Sequence, residues 1–171
     1  GYDLHPEYFT TKFAQNLEGY QHIAVQHHKA HLASILALKN KLSERVVGIV
    51  FDGAGFGEDG EIWGGEIFVG SVQEGFTRRG HLRKASLIGG DAAATYPLQA
   101  LAGFIGDFDK DLLERLQLPD PFPKALKIKE KNIRTFPTTS VGRLYDAVAA
   151  LLGFHLDNSF EGEAAIALEY L

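Results

Sequence analysis

Apolar positions change their period several times along this chain. In Tyr20–Gln26, Ile23 and Val25 alternate with polar neighbours, which predicts a strand. Over His27–Leu42 the apolar residues Ala30, Leu32, Ala33, Ile35, Leu36, Leu38 and Leu42 recur at helical spacing. Arg45–Phe51, RVVGIVF, is a near-continuous β-branched run of the kind buried on both faces of a sheet. A glycine-rich segment then turns the chain into Ile62–Val72, a second strand. Phe76–Leu82 reads as a third, so the pattern predicts an antiparallel meander. Gly1–Leu17 reads as a short opening helix with Pro6 in its first turn. From Asp91 the period is helical: Asp91–Ile105, Lys110–Leu116, Lys124–Lys131, Val141–Phe154 and Glu161–Leu171. Pro119–Pro123 predicts a corner rather than a boundary. Strands followed by helices suggest one lobe of an α/β protein. Its three stretches are a histidine-bearing helix region (1–43), a glycine-rich hairpin sheet (44–88) and a helical part (89–171).

Composition narrows what such a lobe does. The 171 residues are about one domain's worth. With 17 basic and 22 acidic residues the net charge is −5, against the basic excess of polyanion binders, so no nucleic-acid partner is expected. No apolar run reaches the roughly 20 residues of a membrane span, and a cytoplasmic protein without a membrane partner is expected. With no cysteine, this chain supplies neither disulfides nor a thiol nucleophile. It also contains no methionine, which suggests an excised piece of a longer protein. Six of its 19 glycines (53, 55, 57, 60, 64 and 65) fall within thirteen residues.

Four segments carry candidate chemistry. In a helix, His27 and His31 of HHKAH project from one face a turn apart and can ligate one metal ion. A solvated, mildly basic helix start accounts for them equally. The zinc-protease motif HExxH is absent, since His28 stands where its glutamate would be. In VFDGAGFG a buried strand ends in Asp52, and the following glycines can cradle phosphate oxygens beside a cation. A hairpin with Glu58-Asp59-Gly60 at its tip explains the same letters. Asp146, early in the helix opened by VGRLYD, could accept from ribose hydroxyls, or be favoured there by the helix dipole alone. In NSFEGE, Asn158 and Glu161 approach a capping box, which leaves Gly162 unexplained in a first turn. Arg78, Arg79, Arg83 and Lys84 read as a solvated strand face and Lys124–Arg134 as an exposed helix, while Trp63 and the phenylalanines read as core.

DLHPEY, VQHHKAH, GIVFDGAGFGEDGEIWGGE, GGDAA, GRLYDAVAALLG and FEGEAAIALE follow one another in this order. Together they resemble the C-terminal carbamoyltransferase region of the HypF hydrogenase-maturation family over essentially the whole chain. Related tRNA threonylcarbamoyladenosine transferases and antibiotic O-carbamoyltransferases share the histidine pair and the GRLYD-like segment, whereas HPEY, IWGGE and GGDAA point to HypF.

The resemblance implies an α/β fold of the actin-like ATPase (ASKHA, ribonuclease-H-like) type. It also implies transfer of a carbamoyl group from carbamoyl-adenylate, made from ATP, to the C-terminal cysteine of the partner HypE, on the route to the cyanide ligands of [NiFe]-hydrogenase. By resemblance His27, His31 and Asp52 would hold a divalent metal (iron, zinc or magnesium), Gly53 and Gly55 would face phosphates, and Asp146 and Gly162 the ribose. A transferase of small molecules or tRNA in the same superfamily, or a non-catalytic docking fragment, are the alternatives. Three departures stand out. The family's fourth metal ligand, an aspartate in a later glycine-rich motif, has no counterpart before Leu171. The upstream acylphosphatase-like, zinc-binding and adenylate-forming modules are not in the sequence. Thr95-Tyr96-Pro97-Leu98 stands where relatives carry a Glu-Pro-Trp-Arg-like run.

Overall fold

The structure is a computed structural model that describes residues 1–90, 92–105, 108, 110–154 and 157–171. It divides into two compact units, Gly1–Leu82 and Arg83–Leu171.

In the first unit, β1 (Tyr2–Asp3) pairs in parallel with β2 (Ala24–Val25), and α1 (Phe9–Gln15) lies between them in sequence. α2 (His27–Leu38) follows β2 at once, opened by Gln26, whose side-chain oxygen accepts from the Lys29 N–H at 3.0 Å. β3 (Val46–Phe56), β4 (Ile62–Ser71) and β5 (Gly75–His81) form the expected antiparallel meander. Leu32 and Leu36, one turn apart on α2, bury themselves with Val50, Trp63 and Phe68 of the meander. Leu32 seats directly on Gly48, where a Cβ would lie 2.4 Å from its side chain. This close approach brings the start of α2 over β3, and with it the histidines.

Several expectations are corrected here. The opening segment is helical only at Phe9–Gln15, because Tyr2–Asp3 is drawn into pairing with β2. The Tyr20–Gln26 strand shrinks to Ala24–Val25, and α2 ends at Leu38, before Asn40 takes a left-handed conformation. β3 is not buried on both faces: Val47, Ile49 and Phe51 are 64–70% exposed. It also runs on through the glycines to Phe56, with its register shifting between Phe51 and Gly55, a bulge inside the hairpin. The tip is Gly57–Gly60, closed by Gly57 N–H to Glu61 O at 2.8 Å. Trp63 and Phe68 are core, but Phe9, Phe13 and Phe51 are exposed.

The second unit is not purely helical. β6 (Ala85–Ile88) pairs antiparallel with β7 (Thr135–Thr138), and the helices α3 (Ala92–Thr95), α4 (Pro97–Ile105), α5 (Lys110–Arg115) and α6 (Pro121–Glu130) lie between them in sequence. α7 (Val141–Leu151) and α8 (Glu163–Glu169) follow. The predicted helix Asp91–Ile105 breaks before Pro97, since a residue preceding proline is driven out of the α region; Asp91 itself lies outside the described residues. Pro121 opens α6 instead of making a corner, as proline in a first turn loses no hydrogen bond. Ile88, Leu98, Leu101, Phe122, Ala125, Ala147 and Ala150 make this unit's core. No helix of the described residues is long and apolar enough to cross a membrane.

Candidate metal centre

His27 and His31 sit on one face of α2, and Asp52 reaches them from the β3 bulge. His27 Nε2 lies 3.2 Å from Asp52 Oδ2, His31 Nε2 lies 3.9 Å from the same oxygen, and the two Nε2 atoms are 3.1 Å apart. Among the described residues this is the grouping of three donors that could hold one ion. Such separations suit ligands that share an ion at about 2.0–2.2 Å.

Each side chain is placed by an outer partner. Parallel pairing of β1 with β2 sets Asp3 beside the start of α2, with Leu4 N–H bonded to Val25 O at 3.0 Å. There Asp3 Oδ2 lies 2.8 Å from His27 Nδ1, and its Oδ1 accepts from the His5 N–H at 2.8 Å. A carboxylate only accepts, so His27 Nδ1 bears a proton toward Asp3, and Nε2 is the ring nitrogen turned to Asp52.

His28 is fully buried behind the cluster. Its ring packs on Gly55, where a Cβ would come within 2.5 Å of Cε1. That contact alone requires glycine at position 55. His28 Nε2 points at Asp52 Oδ2 from 3.4 Å.

Asp52 has an uneven environment. Its Oδ1 accepts from the Gly53 N–H at 2.7 Å, while Oδ2 is buried without a hydrogen-bond partner. Burial pushes its pKa up, but the His28 contact, the Gly53 N–H and the nearby His27 outweigh that, so it lies below the usual carboxylate value. An ionised, orphaned oxygen beside imidazole nitrogens is what a divalent cation would satisfy. Two imidazoles and a carboxylate suit iron or zinc, and water or substrate can complete the shell.

A second network lies beside it in the same unit. Arg78 Nε contacts Glu66 Oε2 at 2.6 Å, its Nη1 lies 3.3 Å from Asp59 Oδ2, and its guanidinium stacks 3.9 Å over the Trp63 ring. Trp63 Nε1 donates to Asp59 Oδ1 at 2.8 Å. Arg78 therefore leaves the solvated basic face expected of it, because burial beside Glu66 demands a counter-charge; Arg79, Arg83 and Lys84 are exposed as expected.

The remaining predicted positions divide between the units. Gly53 and Gly55 accompany Asp52 in the first. In the second, Asp146 is buried in α7, 2.6 Å from Arg143 Nε, and accepts from Asn158 Nδ2 at 3.2 Å. Burial raises its pKa against the opposing charge of Arg143. Asn158 does not cap a helix; it also donates to Ala94 O, because α8 starts five residues further on. Gly162 is the N-cap instead, at φ +83 with open space where a Cβ would stand, and Glu163 accepts from Ser159 N–H and Oγ.

Sequence reasoning gave no chemical role to Asp3, Gln26 or His28. DLHPEY flagged Asp3 only as part of a likeness, since 24 residues separate it from His27.

The family described as "Carbamoyltransferase, Kae1-like Domain, second subdomain" matches residues 48–171, and "HypF Kae1-like domain" matches residues 1–37. The chain is 42% identical over 99% of its length to Carbamoyltransferase HypF of Rhodobacter capsulatus, and 38% identical over 98% to that of Synechocystis sp., covering 24% of each relative. A crystal structure of full-length HypF in a phosphate- and nucleotide-bound form superposes with a TM-score of 0.89 at 39% identity, over 98% of this chain and 22% of that one. The HypF of T. kodakarensis gives 0.85 at 37% identity, over 98% of this chain and 24% of that one. This chain thus spans about a quarter of those relatives. It belongs to the HypF carbamoyltransferase family, with the α/β, actin-like fold expected of it.

Proposed function

We propose that this chain is the part of a HypF-type carbamoyltransferase that holds a divalent metal and a nucleotide while a carbamoyl group passes from carbamoyl-adenylate to the C-terminal cysteine thiolate of HypE. The observation that carries the reading is the convergence of His27, His31 and Asp52, with Asp52 Oδ2 left unpartnered, in a chain of this family. The acceptor is external, since the chain has no cysteine.

The thiolate attacks the carbamoyl carbon and a C–S bond forms. The bond from that carbon to the phosphate oxygen breaks, and its electron pair leaves with AMP. A bound ion supplies Lewis acidity, worth several kcal/mol in transition states of this kind. His27, His31 and Asp52 hold their donor atoms in place for it. Gly53 and Gly55 are assigned to the phosphate side, where backbone N–H groups stabilise developing charge; Gly53 would have to share the N–H it now donates to Asp52 Oδ1. Gly162 is assigned to the ribose, supported by the open space over its Cα. Asp146, given the same role, would have to exchange its Asn158 hydrogen bond for a ribose hydroxyl.

The test is His27→Ala in a full-length HypF carrying this segment. HypE carbamoylation is expected to fall about 10³-fold, matching several kcal/mol of lost stabilisation, with folding unchanged. Transfer at the wild-type rate would defeat the assignment.

A further inference from the structure

Each of the adjacent histidines of α2 has its Nδ1 fixed by a partner, as a donor in His27 and as an acceptor in His28. For His27 it is Asp3, as above. For His28 it is Gln26, whose amide can point only one way. Its Oε1 faces the Lys29 N–H, which only donates, and its Nε2 faces Phe56 O at 3.1 Å, which only accepts. That same Nε2 lies 3.0 Å from His28 Nδ1. His28 Nδ1 is therefore the acceptor, and the proton is on Nε2, aimed at Asp52 Oδ2 from 3.4 Å.

We infer that Asp3 and the Gln26–His28 pair are positioning residues that divide the labour among three clustered histidines. Asp3 makes His27 a lone-pair donor to the ion. Gln26 turns the His28 N–H toward Asp52 from 3.4 Å without a hydrogen bond closing between them, which faces that carboxylate with a positive dipole and removes His28 from the ligand set despite its closeness. This inference rests on the proposed metal reading and adds what enforces it. The arrangement matches the general habit of metal-binding imidazoles, whose second nitrogen is held by a carboxylate or carbonyl.

The test uses this chain at pH 8 with Co(II) as probe. Long-range ¹H–¹⁵N correlation of the metal-free protein should show a proton on His27 Nδ1 and His28 as the Nε2–H tautomer. Asp3→Asn should weaken Co(II) binding by about 10–100-fold without lowering the unfolding midpoint, and Asp3→Glu should recover part of it. Gln26→Glu keeps the helix cap but removes the donor to His28, so the His28 tautomer should change and the Co(II) absorption spectrum with it. A His27 Nδ1 without its proton, the reversed tautomer at His28, or Asp3→Asn binding as tightly as wild type would overturn the inference and leave the metal reading standing. No Co(II) or Zn(II) uptake by the wild-type chain, with the tautomers as stated, would defeat the metal reading instead.

Discussion

Two carboxylate-centred clusters lie side by side in the first unit, and their accounting differs. Around Arg78 all four oxygens of Glu66 and Asp59 have donors: Glu66 Oε1 takes the Gly64 and Gly65 N–H groups, Asp59 Oδ1 takes Trp63 Nε1 and the Glu61 N–H, and Arg78 serves the other two. Around Asp52 one oxygen has its donor and the other has none. The partners also differ in kind. Guanidinium can only donate, so the network is closed on its acceptor side, with Arg78 Nη2 left buried without a partner, and it acts as a strut for the hairpin. Imidazole can present a lone pair, so His27 and His31 can join the Asp52 carboxylate as donors to a cation. Charged clustering alone does not separate a strut from a candidate site; an unpaired carboxylate oxygen facing imidazole nitrogens does.

The sharpest way to break this contrast is a reciprocal pair of variants. Glu66→Ala should leave the half-buried Arg78 with only the more exposed Asp59 as counter-ion, orphan the Gly64 and Gly65 N–H groups, and cost about 3–5 kcal/mol in urea unfolding, with Zn(II) uptake retained by whatever remains folded. Asp52→Ala should abolish Zn(II) uptake in calorimetry and cost only about 1–2 kcal/mol in unfolding, less than Glu66→Ala, since it leaves the Gly53 N–H without its acceptor but breaks no ion pair with a guanidinium. Equal destabilisation by both would make the Asp52 cluster another strut.

A smaller effect sharpens the boundary between them. Gly55→Ala forces a Cβ against the buried His28 ring, and overpacking of that kind costs about 1–3 kcal/mol. Because His28 faces Asp52, the same change should also weaken Zn(II) binding. A stability loss with unaltered affinity would show that His28 packs but does not position.

How much of this was written in the residues follows from the range of the forces involved. The α2 helix and the β3–β5 meander were legible because each buries a periodic face over seven or more residues. β6 and β7 were not, as four residues each, one set holding Pro137, show no period of their own and exist only through pairing. Likewise His27 and His31 were legible as one helix face. Asp3 was not, because its position depends on a two-residue parallel ladder. Arg78 was misread for a related reason: strand alternation placed it on a face, but a buried Glu66 across the ladder recruited it.

The smallest expected effect contrasts Asp59 of the closed network with Asp146 of the second unit. Burial raises the Asp59 pKa, but the Glu61 N–H, Trp63 Nε1 and Arg78 outweigh it, and the net value is lowered. Its contribution is therefore present above the ordinary carboxylate value and lost as pH falls through the depressed folded value. For Asp146 burial dominates and the pKa is raised, so its contribution is full below the ordinary value and lost as pH rises through the raised one. Unfolding free energies measured from pH 6 down to pH 3 should thus respond oppositely. Asp59→Asn should make the acid loss of stability shallower, and Asp146→Asn should make it steeper. Asp146→Asn also unpairs Arg143, but guanidinium stays charged throughout this window, so that cost shifts the whole curve without tilting it. The slope isolates the carboxylates from their partners, and two slopes moving in the same direction would mean that burial does not govern Asp146.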